Sequence, residues 1–264
     1  MGIGANSPAY RRALFRLFSS RFFRRRATTS DGTFVAYVSP SSSLHVLNFA
    51  KSMVHPVHQR FIRNWVKPDD VVWDIVANMG LFALPAALKA SQVYAFEPDV
   101  EFAHYLKRSL RLRANRGLNA SVICAAVSNI DSVANFEISK FSRAMNKLEA
   151  VGRWHQSSIS VEETRIVPML RIDTLANSLA PPTVLKIDVE GAEMLVLQGG
   201  AATIAAHRPS ILIECPRKLA PALRIFFAMH RYILLDGALE RPIPLSLPVW
   251  DTMAIPEEKM KSQL

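Results

Sequence analysis

From residue 71 onward, short runs of consecutive apolar residues alternate with longer amphipathic stretches, and this alternation limits the chain to few architectures. Residues 71–75, 92–96, 120–127, 184–189, 210–214 and 232–235 read as strands. Residues 81–90, 99–115, 172–179 and 219–229 read as helices, and a further helix follows 189 and runs to about 197. Weaker strand patterns cover 134–138 and 165–169. Strands separated by helices of this length predict an α/β fold, with a mostly parallel sheet and right-handed crossovers. The apolar run 252–255 is expected to close that sheet as an antiparallel edge. A chain of 264 residues has the length for one such domain with a sizeable core. No apolar run reaches the roughly 18 residues needed to span a bilayer. In open α/β sheets, ligands bind beyond the carboxyl ends of the strands, where the strand order reverses. Functional residues are therefore expected just after Ile75, Phe96, Ala126, Ile187 and Glu214.

The charge is unevenly placed. Residues 1–30 contain Arg11, Arg12, Arg16, Arg21, Arg24, Arg25 and Arg26 and no acid, so they carry most of the net charge of +10. These residues read as a basic arm, 31–69 as a lead-in with a strand at 33–38 and a helix at 58–66, and 70–264 as the main domain. In the arm, Leu14, Phe15, Leu17 and Phe18 fall on one helical face, which suits peripheral contact with an anionic membrane surface. A solvated arm, one docked on its own domain, or an organelle transit peptide accounts for the same composition. The rest of the chain lacks a strong basic excess, so a nucleic-acid partner is not expected. Cys124 and Cys215 lie in apolar runs and read as buried thiols of a cytoplasmic protein, not as a disulfide.

The turn after the first strand of the main domain reads Asp74, Ile75, Val76, Ala77, Asn78, Met79, Gly80. Gly80 opens the following helix without a side chain, so a ligand can approach the backbone there. Glu97, at the tip of the second strand, can accept two hydrogen bonds from a ribose diol. A dinucleotide needs a glycine-rich turn for its pyrophosphate, whereas here Val76, Met79 and Leu81 crowd a single glycine. The turn therefore suits a cofactor without phosphate, or it is an ordinary α/β turn.

Four segments in order carry more information: Asp74-Ile75-Val76-Ala77-Asn78-Met79-Gly80, Phe96-Glu97-Pro98-Asp99, Ala125-Ala126-Val127-Ser128, and Leu185 to Glu193 with its Lys186-Ile187-Asp188-Val189-Glu190-Gly191 core. Together they resemble the FkbM family of S-adenosylmethionine-dependent methyltransferases. The resemblance implies a Rossmann-like class I fold with a seven-stranded, mostly parallel sheet. It also implies methyl transfer to a hydroxyl of a sugar, glycolipid, polyketide or similar metabolite. By motif, Asp74, Asn78 and Gly80 would line the methionine part of the cofactor. Glu97 would hold the ribose, and Pro98, Ala125 and Ala126 would flank the adenine. One position departs from the family pattern: Val76 stands beside the methionine part where glycine is usual. A β-branched residue is poorly suited to a positive φ. Val76 therefore keeps open a non-catalytic protein that uses the fold for binding or scaffolding. N-methylation is a further alternative, because the fold does not fix the acceptor atom.

On the acceptor side, Lys186, Asp188 and Glu190 alternate on one strand face, and Asp188 is the candidate base for a hydroxyl proton. Equally, Asp188 can cap the next helix. Glu214 faces the same edge, and no Cys/His spacing suits zinc, so no metal is expected. His55, His58 and His155 read as surface or packing residues. The aperiodic segment 139–163, with Lys140, Arg143, Lys147, Arg153 and Trp154, reads as a solvated loop or as a lid for an anionic or sugar-like acceptor.

Overall fold

The structure, a computed structural model, describes residues 21–139, 147–148 and 161–261. It opens with a hairpin of β1 (Phe23–Thr29) and β2 (Gly32–Val38), then helix α1 (Pro56–Trp65). Next come β3 (Val71–Ile75), α2 (Ala83–Ala86), β4 (Gln92–Phe96), α3 (Val100–Leu110) and β5 (Ala120–Ile123). Strands β6 (Ala126–Val127), β7 (Ser132–Ser139), β8 (Lys147–Leu148) and β9 (Val161–Leu170) form a separate sheet, in the order β6-β9-β7-β8. The chain continues through α4 (Ile172–Leu175), β10 (Val184–Ile187), α5 (Glu193–Gly199), α6 (Ala201–His207) and β11 (Ser210–Glu214). It then forms α7 (Ala220–Met229), β12 (Tyr232–Asp236), β13 (Asp251–Pro256) and α8 (Glu257–Lys261).

The central sheet has seven strands in the order β12-β13-β11-β10-β3-β4-β5. All pairs are parallel except those made by β13, which runs antiparallel to both β11 and β12. The order reverses between β3 and β10, so a crevice opens beyond the carboxyl ends of these two strands. The hairpin, α1, α2 and α3 cover one face around Phe34, Phe61 and Leu84, while α4 to α7 cover the other around Trp73, Val196 and Phe227. Burial on both faces explains why the central strands are mainly apolar, with Asp74 on β3 and Lys186 on β10 as exceptions near their carboxyl ends. Helix α3 shows the local logic: Asp99 caps it by accepting from the Glu101 N–H at 3.0 Å, and Phe102, Leu106 and Ser109 are buried at helical spacing.

The structure differs from the sequence expectations in five places. The expected strand 120–127 breaks at Cys124, where the Ala125 N–H bonds back to the Ile123 carbonyl at 3.0 Å; its two halves join different sheets, and the break leaves Cys124 exposed, not buried as expected, whereas Cys215 is buried. The run at 252–255 is not an edge: Met253, Ala254 and Ile255 are fully buried, and β13 inserts between β11 and β12. The helix expected at 81–90 is regular only over Ala83–Ala86 and then tightens into short turns. Helix α6 was not anticipated; a break at Gly200 separates it from α5. The arm expected over 1–30 ends earlier, because Phe23–Thr29 is a docked strand. Its Arg25 is buried and donates from Nη1 to the Val46 carbonyl at 2.8 Å and from Nη2 to the Lys51 carbonyl at 3.2 Å. The amphipathic run at 14–18, and most of the segment 139–163, lie outside the described residues. Among those described, no helix is long and apolar enough to cross a membrane.

Candidate functional site

The turn after β3 is built from left-handed backbone. Val76 has φ +62°, Asn78 +52° and Gly80 +79°. Asparagine and glycine tolerate this region, whereas a valine there is an outlier. At Gly80 an added Cβ would lie 2.3 Å from Leu106 Cδ1, so only glycine fits between the turn and α3. The turn is tied to the neighbouring strand, since the Ala77 N–H donates to the Phe96 carbonyl at 2.8 Å. Glu97 completes the link: its Oε2 accepts from the Asn78 N–H at 2.6 Å and its Oε1 from the Asp99 N–H at 2.8 Å. Each oxygen has a further lone pair. Burial pushes the Glu97 carboxyl up to about 8 despite these two donors.

Asp74 is fully buried at the root of the turn, and neither of its oxygens has an aligned hydrogen-bond donor. Lys186 Nζ lies 3.3 Å from Oδ1, close enough for an ion pair but off the hydrogen-bonding axis. Burial raises the Asp74 carboxyl to about 6 against the pull of Lys186. An unsatisfied buried carboxylate is costly, and a cationic ligand amine reached through bound water would offset that cost.

Lys186, on β10, joins the two halves of the crevice. Its ammonium donates to the Val76 carbonyl at 2.8 Å and pairs with Asp74 and, at 3.4 Å, with Asp188 Oδ2. Burial opposes its charge, but Asp74, Asp188 and Glu214 outweigh burial and hold the ammonium above the ordinary lysine range. Asp188 itself stays partly open, with a side chain 27% exposed. It does not cap the next helix: the capping position of α5 is Ala192, which makes no side-chain bond. Glu190 (φ +51°) and Gly191 (φ +104°) form the intervening turn. Burial and Asp188 push Glu190 up to about 7. Burial and Asp188 also push Glu214 up to about 8; Glu214 lies across from Asp251 in the β11–β13 register. Glu193 accepts from the Gly191 N–H at 3.0 Å, while its Oε2 has no partner.

The structure thus brings Asp74, Val76, Asn78, Gly80, Glu97, Lys186, Asp188 and Glu190 to the tips of β3, β4 and β10. Pro98 follows Glu97 at the end of β4, while the buried Ala125 and Ala126 lie just past β5, in the break and at the start of β6; the Glu97 N–H donates to the Ile123 carbonyl at the end of β5 at 3.0 Å. Two features were not legible from the sequence. Helix α1 carries His58 to the site, with its ring 5.3 Å edge-on to Phe82 and 5.5 Å from His55, and its Nδ1 has no partner. Burial, then Lys186 and His55, hold this imidazole well below the usual histidine range. Arg60 ties α1 down through the Gly237 and Ala238 carbonyls at 3.1 and 2.7 Å. The second feature is Arg165 on β9, which binds Asp99 Oδ1 at 3.2 Å and so couples the four-stranded sheet to the cap of α3. Neither residue has a signal in the local sequence pattern, because each reaches its place through tertiary packing.

A seven-stranded sheet with one antiparallel insertion, a single-glycine turn after its first central strand and an acid at the tip of the next define a Rossmann-like methyltransferase fold. The model of the methyltransferase FkbM domain matches residues 74–234, more than half of the chain, and the chain belongs to that family. The solved FkbM methyltransferase of Methylobacillus flagellatus superposes with a TM-score of 0.50 at 17% identity, covering 76% of this chain and 47% of that one. Among curated proteins, the hexuronic acid methyltransferase AglP of Haloferax volcanii is 28% identical over 143 residues, 53% of this chain and 54% of the relative. A tRNA (guanine(37)-N(1))-methyltransferase of Phytophthora infestans is 34% identical over 96 residues, 35% of this chain and 23% of the relative. The matched region therefore spans from under a quarter to about half the length of these curated relatives.

Proposed function

We propose that this protein is an S-adenosylmethionine-dependent O-methyltransferase whose acceptor is a hydroxyl on a sugar, glycan or similar metabolite. The observation that supports it most is the junction at Lys186, where one buried ammonium holds both the Val76 carbonyl of the cofactor turn and the half-open Asp188 carboxylate. When bound, S-adenosylmethionine supplies an electrophilic methyl group. Glu97 would hold the ribose hydroxyls, and Asp74, Val76, Asn78 and Gly80 the methionine part. Pro98, Ala125 and Ala126 would flank the adenine.

Asp188 would take the proton of the acceptor hydroxyl as the methyl group leaves the sulfonium sulfur for that oxygen. Lys186 aims Asp188 through their ion pair at 3.4 Å, and being charged and engaged with Val76 and Asp74 as well it cannot itself be the base. Glu190, held up to about 7, is partly protonated near neutrality and can donate to an acceptor oxygen. The hexuronic acid acceptor in the name of one relative supports a sugar acceptor here. A compartment without a membrane span, such as the cytoplasm, fits the reading.

The test is methyl transfer from labelled S-adenosylmethionine to a panel of neutral sugars, hexuronic acids and tRNA. Transfer to a sugar hydroxyl is expected. Asp188→Asn should lower it about 10²- to 10⁴-fold, the usual worth of a general base, while S-adenosylhomocysteine affinity stays within about twofold. Transfer to tRNA alone would overturn the assignment. A second reading, a fold retained for binding without turnover, draws on Val76 in its left-handed conformation. Titration with S-adenosylhomocysteine separates the two, since that reading predicts no binding until Val76 is replaced by glycine.

A further inference from the structure

At the end of the domain away from the cofactor turn, the outer face of the β1–β2 hairpin meets the turn after α3. Arg24 pairs across the hairpin with Tyr37, and Arg26 with Val35. Directly opposed residues project to the same side of a hairpin, so these four side chains share one face. The free edge of β2 is closed by side chains from α3 and the turn after it: Ser109 Oγ accepts the Tyr37 N–H at 2.8 Å, and Asn115 Oδ1 accepts the Val35 N–H at 3.0 Å. This clamp fixes Arg113 beside the hairpin and sets the Arg108 guanidinium 4.6 Å over the Tyr37 ring. Arg24, Arg26, Val35, Leu112, Arg113 and Ala114 line a shallow depression of about 400 Å³. Lys107, Arg111 and Arg116 are exposed around it. Among the described residues, no acid pairs with Arg24, Arg26 or Arg113. The fold thus holds several like charges together, at a cost in repulsion, with no internal counter-charge.

We propose that this face docks the protein on an anionic phospholipid surface, the lipid phosphates supplying the missing counter-charge. Two observations favour lipid over nucleic acid. The three arginines line their depression together with the apolar residues Val35, Leu112 and Ala114, so apolar surface is interleaved with the cations. The chain preceding β1 interleaves Leu14, Phe15, Leu17 and Phe18 with arginines, and buried apolar area adds to electrostatic attraction at an anionic lipid interface.

Flotation of the full chain with phosphatidylcholine vesicles, with and without phosphatidylglycerol, tests the proposal. Binding is expected only with the anionic lipid. The reversal Arg24→Glu/Arg26→Glu/Arg113→Glu should weaken it about a hundredfold, at roughly fivefold per juxtamembrane cation. These three side chains make no internal pair, so the variant should keep its Tm and its S-adenosylhomocysteine affinity. A milder Arg24→Gln/Arg26→Gln chain serves if the triple variant fails to fold, with a loss of about tenfold or more expected at roughly threefold to fivefold per cation. A matched reversal at Arg11, Arg12 and Arg16 reports on the arm. Undiminished binding when the face is reversed, loss only when the arm is reversed, no flotation of the unmodified chain, or preference for tRNA at equal phosphate would each overturn the proposal.

Discussion

Replacing Val76 with glycine tests whether the cofactor turn is strained by its own sequence. A non-glycine residue in the left-handed region costs about 1–2 kcal/mol, and Val76 sits there at φ +62°. Two terms oppose the relief. Glycine adds about 0.4–1 kcal/mol of unfolded-chain entropy. A half-buried valine also gives up about half of the roughly 1.5–3 kcal/mol that full burial contributes. The terms nearly cancel, so Val76→Gly should change unfolding free energy by less than about 1 kcal/mol in urea denaturation. The same change at Val72 or Val184, buried in extended strands, should cost well over 3 kcal/mol, as cavity-forming core substitutions do. S-adenosylhomocysteine affinity, measured by titration calorimetry, should rise about tenfold, or roughly 1.4 kcal/mol, because the side chain stands where a ligand must approach the backbone. A stability loss above about 2 kcal/mol together with weaker binding would refute the reasoning. It would mean that the valine packs productively and that the turn is not strained.

Three further outcomes follow from the site. Lys186→Met leaves Asp74 buried without its ion-pair partner and should cost about 3–5 kcal/mol in thermal or urea unfolding, part of which Asp74→Asn should restore. Glu97 has its carboxyl raised to about 8, so its contribution to stability is complete below the unfolded value near 4.5 and is lost as pH rises through 8. The ligand-free Tm should accordingly fall across that window, and Glu97→Gln should flatten the fall; an unchanged slope would count against a buried, protonated Glu97. Arg165→Ala should weaken the tie between β9 and Asp99, raising amide exchange in the first turn of α3 without altering the sheet.

Strands β3, β4 and β11 were legible to the residue because each is a short, mainly apolar run set between turn or helix patterns. The turn after β3 was legible because Asp74, Gly80 and Glu97 are chemically distinctive at fixed spacing. The break at Cys124 was hidden, since the residues on both sides of it are apolar and hydrophobicity alone cannot tell one long strand from two short ones in different sheets. The first strand was masked by its arginines: Arg25 points inward and is satisfied by carbonyls of a loop about twenty residues away, a contact no local pattern reveals. The insertion of β13 depends on pairing with β11 and β12, and the approach of His58 depends on the docking of α1. Both are tertiary facts.

The energetics of the sheet separate its two ends. At the amino ends of β3 and β10 the polar groups are matched. Thr183 Oγ1 accepts the Val71 N–H at 3.0 Å and donates to Asp70 Oδ1 at 2.7 Å, and Trp73 Nε1 donates to the Ala180 carbonyl at 3.1 Å. At the carboxyl ends of the same strands, both Asp74 oxygens lack an aligned hydrogen-bond donor, Glu193 Oε2 and His58 Nδ1 lack partners among the described residues, and Val76 and Glu190 lie in the left-handed region. Groups that fold against their own preferences persist where function holds them. A ligand that satisfies them binds the native state alone and stabilises it by mass action. S-adenosylhomocysteine at a hundred times its Kd should therefore raise unfolding free energy by about 2.7 kcal/mol, and chains in which Asp74 or Glu97 is neutralised should gain less. If those variants gained as much as the unmodified chain, the unmatched groups would not be the ones that meet the ligand.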